Sequence, residues 1–337
     1  MSKKIIFRAD GNSDTGLGHL FRLFAIVEII RDHYDYVYFL KPDSTVSVVP
    51  EDYNHKFLPE YLNLNEEANW FSKFYDPKET IVIADGYQFN SAYQKQIKEN
   101  GFKLIYVDDL AWEYMYADIV INHSPHISKN DFRSESYTKF ALGPKYSILR
   151  PLFLQAAKQK RIIERIDTAF VCFGGADAID LTLKAVKALL DIPQFVTIHV
   201  VLGGAYKHKE IFELKDKFPK KIMIHQNLSE YHLVKVMQAC NFAIAPASTI
   251  LFELCCVKMP VLSGYYVENQ EYIYKGFSDS IAIYEGGNME NYKEEDFIMQ
   301  VKRILEDKSY DWQINAQYEL FDKNIKIRHL NLISQLC

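Results

Sequence analysis

The chain has 337 residues, which favours two domains over one, and 48% of them are hydrophobic while 25% are charged. Its net charge of −5 argues against a nucleic-acid-binding protein, because such proteins usually carry a basic excess. The five cysteines form no pattern typical of a zinc site and lie mostly in apolar runs, which fits a reducing compartment. No apolar run approaches the ~20 residues that span a bilayer, and no signal peptide is evident, so we expect a cytoplasmic protein without membrane insertion.

Short apolar runs alternate with amphipathic stretches along nearly the whole chain. In the first half the runs are IIFRA, YVYFL, TIVIAD, KLIYVDD and DIVIN, and in the second half TAFVCFGG, FVTIHVVLGG, KIMIHQN, FAIAPA and MPVLSG. Stretches such as HLFRLFAIVEIIRDH place apolar residues at helical spacing between them. This alternation predicts an α/β protein with two Rossmann-like, doubly wound parallel sheets facing a cleft.

The pattern breaks near residues 150–167, where RPLF precedes the charged stretch LQAAKQKRIIERID. That stretch is predicted to be a helical connector between the domains. We therefore expect an N-terminal Rossmann-like domain over 1–150 and a C-terminal one over 151–310. The tail, 311–337, is predicted to be helical and to pack back on the N-terminal domain.

The loop GNSDTGLGHLFR lies where the first strand should lead into the first helix. Gly16 and Gly18 would let the backbone approach a ligand closely, and the helix start would offer free N–H groups. The spacing lacks the third glycine of a dinucleotide-binding loop and the GK[ST] of a P-loop, so it is typical of neither. His19 could act as a general base, and a solvent-exposed or loop-bonding histidine is the alternative.

Acidic and aromatic side chains follow two further strands. Asp85 and Tyr87 come at the end of TIVIAD and could face a ligand, although an ordinary Asp-Gly turn with a packed tyrosine is the simpler interpretation. Asp108 and Asp109 end KLIYVDD, and adjacent residues on a strand point to opposite faces, so we expect no shared proton. At least one of these two acids is expected to cap the next segment.

Two loops of the second half suit a nucleotide. Gly174 and Gly175 in FGGAD follow a buried strand and precede a helix, which fits a diphosphate as well as it fits an ordinary turn. Ser248 and Thr249 are good helix N-caps. Glu253 falls one turn later among apolar residues, where a carboxylate should have a partner such as ribose hydroxyls.

A third loop, GYYVENQ, suits a sugar. It places Asn269 and Gln270 at a loop-to-helix edge, where helix capping is the alternative role.

Together these stretches resemble the UDP-2,4-diacetamido-2,4,6-trideoxy-β-L-altropyranose hydrolases of pseudaminic acid biosynthesis. FRADGNSDTGLGHLFR is similar to their pattern RADxxxxxGxGHxxR, with matches at Arg8, Asp10, Gly16, Gly18, His19 and Arg22. ADGYQFNSAY resembles their strand-D-x-Y element, and VDDLAWEYMYADIVINHSP resembles their DD…D-x-V-I-N element. LGPKYSILRPLF is similar to their segment LGPxYxxLRPxF, and FGGAD, PASTILFEL and ENQ follow in the same order.

The resemblance implies a glycosyltransferase-B type fold, akin to the lipid II-forming GlcNAc transferase, and hydrolysis of a UDP-sugar. The C1–O bond would break, UDP would leave and the anomeric centre would invert. His19 would be the base for the attacking water, and Tyr87 would help to place that water. The expected partners are the UDP-sugar and UDP, with other enzymes of a surface-glycan pathway as further candidates, and no metal or cofactor is implied.

The resemblance also assigns substrate-binding residues. In the first loop region these are Arg8, Asp10, Gly16, Gly18 and Arg22. In the second half Gly174, Gly175 and Ala176 would face the diphosphate, while phosphate and ribose would contact Ser248, Thr249 and Glu253. Asn269 and Gln270 would approach the sugar.

Two stretches depart from the family pattern. Thr15 stands where a branched apolar residue is more common, and DKNIK replaces a glycine-rich DGxGA in the tail. Two other functions are compatible with the motifs. One is a UDP-sugar-dependent inverting glycosyltransferase with an acceptor alcohol in place of water, and the other is a nucleotide-sugar-binding protein without turnover.

Overall fold

The computed structural model of the protein describes residues 3–12, 17–307 and 309–337. Its strands are β1 (Lys4–Arg8), β2 (Tyr36–Leu40), β3 (His55–Phe57), β4 (Thr80–Asp85), β5 (Lys103–Val107), β6 (Tyr114–Met115), β7 (Ile119–Asn122), β8 (Arg133–Ser134), β9 (Lys139–Leu142), β10 (Thr168–Val171), β11 (Thr197–Leu202), β12 (Ile222–Gln226), β13 (Phe242–Pro246), β14 (Val261–Tyr265) and β15 (Tyr284–Asn288). Its α-helices are α1 (Gly18–Ile30), α2 (Glu67–Ser72), α3 (Ser91–Glu99), α4 (Pro151–Ala156), α5 (Leu181–Leu190), α6 (Glu210–Lys217), α7 (Glu230–Ala239), α8 (Thr249–Val257), α9 (Glu271–Asp279), α10 (Glu294–Leu305), α11 (Asp311–Leu320) and α12 (Ile325–Ser334).

Two parallel sheets form the centres of the two halves. The first has the strand order β3-β2-β1-β4-β5-β7-β9, and the second has the order β12-β11-β10-β13-β14-β15. Every strand pair in both sheets is parallel. Strands such as β4 are buried along their whole length, as expected when helices cover both faces of a parallel sheet. The predicted α/β class with two Rossmann-like sheets is therefore confirmed.

The chain divides into two compact units. The N-terminal unit extends to Pro151 and includes Asn324–Cys337, and the C-terminal unit is Leu152–Lys323. The segment 311–337 was predicted to pack as a whole on the N-terminal domain, but it is divided between the two units. The helix α11 belongs to the C-terminal unit and α12 to the N-terminal unit. In the described part of the chain, no helix has the length and apolarity that crossing a bilayer requires.

Buried hydrogen bonds explain why α11 stays with the C-terminal unit. The ammonium group of the fully buried Lys258 donates to the carbonyl oxygens of Gln317 and Phe321 near the end of α11. The side-chain amide of Gln317 donates in turn to the carbonyl oxygens of Met259 and Ala282. Because these polar groups are inaccessible to water, detaching α11 would leave several of them unpaired.

The connector is not the predicted helix. The helix α4 ends at Ala156, and residues 160–167 are extended or irregular. Ile163 and Ile166 are buried in the core of the C-terminal unit, and the Arg161 backbone N–H donates to the Tyr318 hydroxyl at 2.7 Å. Tertiary contacts thus replace the local helical preference of this stretch.

Candidate active site

His19 and Asp85 form a histidine–carboxylate pair in the N-terminal unit. His19 lies in the first turn of α1, and Asp85 is the fully buried last residue of β4. The His19 Nδ1 is 2.7 Å from the Asp85 Oδ1. Because the carboxylate accepts a hydrogen bond, this contact favours the tautomer with the proton on Nδ1, and it leaves the Nε2 lone pair as a proton acceptor.

Arg22 joins this pair to a second carboxylate. It lies one turn after His19 on α1, on the same face. Its Nε and Nη2 donate to the two oxygens of Asp85 at 2.5 Å each, and Nη1 and Nη2 both donate to Asp109. All three guanidinium nitrogens therefore bind protein carboxylates. Arg22, which the family pattern assigns to the substrate, is placed to hold these two acids.

The electrostatics of the cluster agree with this role. Burial opposes the charge of Arg22, yet the Asp109 and Asp85 carboxylates raise its pKa well above the ordinary value. Burial likewise opposes the charge of Asp109, but the adjacent Arg22 guanidinium holds the pKa of this carboxyl at about 2. Arg22 and Asp109 thus form a charged pair at neutral pH.

Tyr87 covers one side of His19. The two rings meet edge to face with their centroids 4.8 Å apart, and the Tyr87 hydroxyl lies 3.4 Å from Asp109 Oδ2. Partial burial and the neighbouring Asp109 charge raise the pKa of Tyr87 to about 12. The phenol is therefore protonated at neutral pH and can donate a hydrogen bond. The side chain is 56% exposed, which leaves it accessible to a ligand.

Asp108 has a structural role, in contrast to Asp109. Its carboxylate accepts from the Ala111 backbone N–H at 2.9 Å and from the Asn122 side-chain amide at 3.0 Å. Burial raises the pKa of Asp108 to about 6. The two neighbouring acids, which lie just after β5, thus contact different groups.

Arg8 and Asp10 also bind protein groups. The fully buried Arg8 donates to both oxygens of Glu67 at 2.8 and 2.9 Å, and its Nη1 lies 2.7 Å from Asp10. Asp10 accepts from the backbone N–H of Lys41 and the hydroxyl of Ser44. These contacts fix the chain where it enters the first loop. No sequence motif singles out Glu67, because its partner Arg8 lies 59 positions away.

Part of the first loop cannot be compared with the expectation. Gly16 lies outside the described residues, as does Thr15. Gly18 opens α1, and among the described residues a Cβ placed on it would meet nothing within 4 Å.

In the C-terminal unit the candidate nucleotide residues follow the adjacent strands β10, β13 and β14. Because these strands are parallel, the turns after them share one edge of the sheet. Gly174 has a φ of +84°, which favours glycine, and Gly175 and Ala176 are exposed. The buried Asp177 holds this turn by accepting the N–H groups of Leu181 and Thr182 at 2.9 and 2.8 Å.

A second glycine supports the same turn from the neighbouring strand β11. A Cβ on Gly203 would come within 2.4 Å of the Gly174 oxygen and the Gly175 Cα. A side chain at this position would clash with the neighbouring backbone, which explains why a glycine follows β11. Gly203 is not among the predicted site residues, although the glycine pair that ends FVTIHVVLGG, directly after an adjacent strand, is a signal that could have identified it.

The remaining candidates differ in exposure. Ser248 occupies the N-cap position of α8 but makes no capping hydrogen bond through its side chain, while Thr249 is exposed and Glu253 is buried within the helix. Asn269 is exposed, whereas Gln270 is buried and its side-chain oxygen accepts the Tyr266 N–H at 3.2 Å. Gln270 therefore stabilises its own turn.

Tyr266 connects two of these loops. Its hydroxyl donates to the Phe173 carbonyl at 3.0 Å, beside the Gly174 turn. Tyr266 is not among the predicted site residues, because a tyrosine in GYYVENQ has no distinguishing pattern.

Comparison with known proteins gives distant relatives over most of the chain. No protein-family model matches it. It is 26% identical over 291 residues (83% of its length) to an uncharacterized protein of Methanocaldococcus jannaschii, and spans only 59% of that protein. It is 26% identical over 306 residues to the spore coat polysaccharide biosynthesis protein SpsG of Bacillus subtilis, covering 88% of this chain and 87% of SpsG. It is 24% identical over 278 residues to the UDP-2,4-diacetamido-2,4,6-trideoxy-beta-L-altropyranose hydrolase of Campylobacter jejuni, covering 80% of this chain and 93% of that protein.

Solved structures are similar over nearly the full length. The MurG protein of Acinetobacter baumannii has a TM-score of 0.68 at 12% identity and covers 99% of both chains. The calicheamicin glycosyltransferase CalG4 has a TM-score of 0.66 at 10% identity, covering 99% of this chain and 98% of the other. The fold is therefore of the glycosyltransferase-B type. With the Campylobacter jejuni hydrolase among its relatives, the resemblance indicated by the motifs is confirmed.

Proposed function

We propose that this protein is a UDP-sugar hydrolase that cleaves the C1–O bond of a UDP-2,4-diacetamido-2,4,6-trideoxyhexose with anomeric inversion. The observation that carries the proposal is the His19–Asp85 pair. A histidine held by a buried carboxylate through Nδ1 offers Nε2 as a general base. Similarity to the Campylobacter jejuni hydrolase supports the substrate class.

The proposed reaction needs one base and one activated leaving group. His19 Nε2 takes a proton from water while the water oxygen forms a bond to C1. The C1–O bond breaks, and its electron pair leaves with the β-phosphate of UDP. Asp85 stabilises the imidazolium that forms, and the protonated Tyr87 hydroxyl can donate a hydrogen bond to the water. Attack opposite the leaving group inverts the anomeric centre, and such a base typically contributes about 10²–10⁴-fold.

In this proposal the C-terminal unit binds UDP. The turn at Gly174–Ala176, in which Gly175 and Ala176 are exposed, and Thr249 at the start of α8 would offer backbone N–H groups to the diphosphate. The Ser248 backbone N–H donates to the Pro246 carbonyl, so Ser248 would contact a phosphate through its hydroxyl. Such groups neutralise charge that develops on the leaving phosphate. Glu253 is the candidate for the ribose hydroxyls, and the exposed Asn269 is the candidate for the sugar. Gln270 would act indirectly through its turn.

A second candidate function is inverting glycosyl transfer. The similarity to MurG and to CalG4 over whole chains favours it, because their fold is the same. The His19–Asp85 pair would then deprotonate an acceptor hydroxyl in place of water.

The test is UDP release from a panel of UDP-diacetamido-trideoxyhexoses without any acceptor. We expect release by the wild-type protein and a loss of about 10²-fold or more in His19→Asn, with an unchanged melting temperature. The matched control is His33→Asn, an exposed histidine just after α1, which should keep full activity. Release only after an acceptor is added would indicate a transferase, and UDP-sugar binding without turnover would indicate a binding protein.

A further inference from the structure

A cavity of about 370 Å³ lies in the C-terminal unit. It is enclosed by the turn after α9, the start of β15, the end of α10 and the start of α11, and the side chains that matter here are Ile281, Tyr284, Glu285, Arg303, Asp307 and Trp312. Because β15 runs parallel to β14, its first residues lie at the amino-terminal edge of the sheet. The candidate nucleotide turns follow the carboxyl ends of the strands, so the cavity is at the opposite edge.

One wall of the cavity is apolar and accessible. Trp312 is 38% exposed, and its ring meets Tyr284 edge to face with centroids 5.1 Å apart. Ile281 is 58% exposed and has a φ of +51°, a conformation that β-branched residues rarely adopt. The partly exposed indole leaves apolar surface in water, which a bound ligand would cover. Strained residues such as Ile281 concentrate at functional sites.

The rim of the cavity is polar. The Glu285 carboxylate accepts the Ser278 hydroxyl at 2.6 Å, and the Asp307 carboxylate accepts the Tyr284 hydroxyl at 2.7 Å. Each carboxylate has about four acceptor positions, so most of them remain available. The Arg303 guanidinium has no hydrogen-bond or ion-pair partner within the described ranges. The rim thus offers both acceptors and donors.

We propose that this cavity is a second binding site, specific for a neutral pyranose sugar. A partly exposed indole next to a polar rim suits a pyranose, which has an apolar C–H surface and a ring of hydroxyls. Glu285 and Asp307 would accept from hydroxyls, and Arg303 would donate to them. Two carboxylates against one guanidinium disfavour an anionic ligand. The volume lies at the lower end of about 300–1,000 Å³ for small-molecule sites, which suits a mono- or disaccharide.

The test uses saturation-transfer NMR with methyl glucoside and N-acetylglucosamine, and with glucose 6-phosphate as the anionic comparison. Spectra are recorded first without UDP and then with saturating UDP, which occupies the proposed nucleotide site. We expect the neutral sugars to bind the wild-type protein, to bind Trp312→Ala at least tenfold more weakly, and to bind Trp112→Ala normally. Trp112 is the matched control, because it is an exposed tryptophan of the N-terminal unit.

Arg303→Ala keeps the proposal testable if Trp312→Ala does not fold, because Arg303 is exposed on the surface of α10. It should also weaken binding of the neutral sugars. The proposal is overturned if the wild-type protein binds neither neutral sugar at millimolar concentration or if UDP displaces them. Unchanged binding in the folded variants, or tighter binding of glucose 6-phosphate, would overturn it as well.

Discussion

At the scale of single residues, the candidate base His19 is part of a network of hydrogen bonds and ion pairs. His19 contacts Asp85, Arg22 contacts both Asp85 and Asp109, and Tyr87 packs against His19 and reaches Asp109. The imidazole therefore has a defined orientation before any substrate binds. Such preorganisation is what a general base requires.

Asp85→Asn should lower turnover by about 10²-fold or more, because an amide no longer selects the Nδ1-protonated tautomer of His19. The measurement is kcat for UDP release from the UDP-sugar that the wild-type protein hydrolyses. Asp118→Asn is the control, since Asp118 is a buried acid of the same unit that pairs with Lys98 and Lys103. Equal kcat values for Asp85→Asn and the wild type would remove Asp85 from the mechanism.

Arg22→Gln should destabilise the protein by about 3–5 kcal/mol, because it leaves two adjacent carboxylates without their cation. The measurement is the free energy of unfolding in urea. Arg31→Gln, one residue beyond the same helix, removes exposed ion pairs to Glu28 and Asp52 and should cost less than about 1 kcal/mol. Similar losses for the two variants would contradict a structural role for Arg22.

The sequence could predict single members of this network but not their partners. The GxGH and D-x-Y motifs singled out His19 and Tyr87, which the structure brings together. The Asp85 partner of His19 lies 66 positions away, and the Glu67 partner of Arg8 lies 59 positions away. One sequence carries no signal for such pairs. The family resemblance assigns Arg8, Asp10 and Arg22 to the substrate, and this stays a prediction; in the structure each binds protein side chains.

At the scale of elements, two glycine turns pack on each other in the C-terminal unit. The turn after β10 presents Gly174 and Gly175, and Gly203 after β11 packs directly beneath them. The two turns lie at the same edge of the sheet because the strands before them are parallel. The position of the turn after β10 was therefore predictable from the strand pattern. The contact between the turns depends on tertiary packing and was not predictable.

Gly203→Ala should weaken UDP binding by about tenfold, or about 1.4 kcal/mol, because its Cβ would displace the Gly174 turn. Gly204→Ala is a matched control, since a Cβ there meets nothing within 4 Å in the part of the chain that the structure describes. The measurement is the UDP dissociation constant by calorimetry on folded protein. Equal affinities for the two variants would argue against the turn as the diphosphate site.

The connector between the two domains shows that a local sequence pattern can predict the wrong secondary structure. Ile163 and Ile166 have the i, i+3 spacing of a helix. The segment that carries them is nevertheless not helical, and both side chains are buried. Their hydrophobicity is explained by the core of the C-terminal unit, which a local window cannot detect.

At the scale of the whole molecule, the C-terminal tail is divided between the units. The last helix, α12, is held in the N-terminal unit by Arg328, which donates to the Lys145 carbonyl, and by His329, whose Nε2 lies 3.1 Å from the Ser147 carbonyl. Burial lowers the pKa of His329 to about 4. This helix should therefore respond to acid.

His329 should contribute about 2 kcal/mol to the loss of stability between pH 7 and pH 4.5. Below its ordinary pKa of 6.5 the histidine takes up a proton in the unfolded chain, but in the folded chain it does so only near pH 4. Stability is therefore lost as the pH falls through this window. The raised pKa of Asp108 has the opposite effect on stability, because its protonation as the pH falls favours the folded chain. The contribution of His329 is therefore measured by comparing the wild type with a variant that lacks this histidine.

The variant is His329→Gln, and the measurement is the free energy of unfolding in urea at both pH values. Between pH 7 and pH 4.5 the free energy of unfolding of this variant should fall by about 2 kcal/mol less than that of the wild type. His33→Gln, at an exposed position, should behave as the wild type. An identical pH dependence in His329→Gln and the wild type would contradict a neutral buried His329.

The proposed function as a whole rests on which bond breaks and which atom attacks. Hydrolysis of the accepted UDP-sugar in ¹⁸O-labelled water, followed by NMR and mass spectrometry of the fresh products, measures both. The proposal predicts the label on C1 of the free sugar, the anomer opposite to that of the substrate, and no label in UDP. Label in the β-phosphate of UDP, or retention of the anomeric configuration, would contradict water attack at C1 by a His19-activated nucleophile.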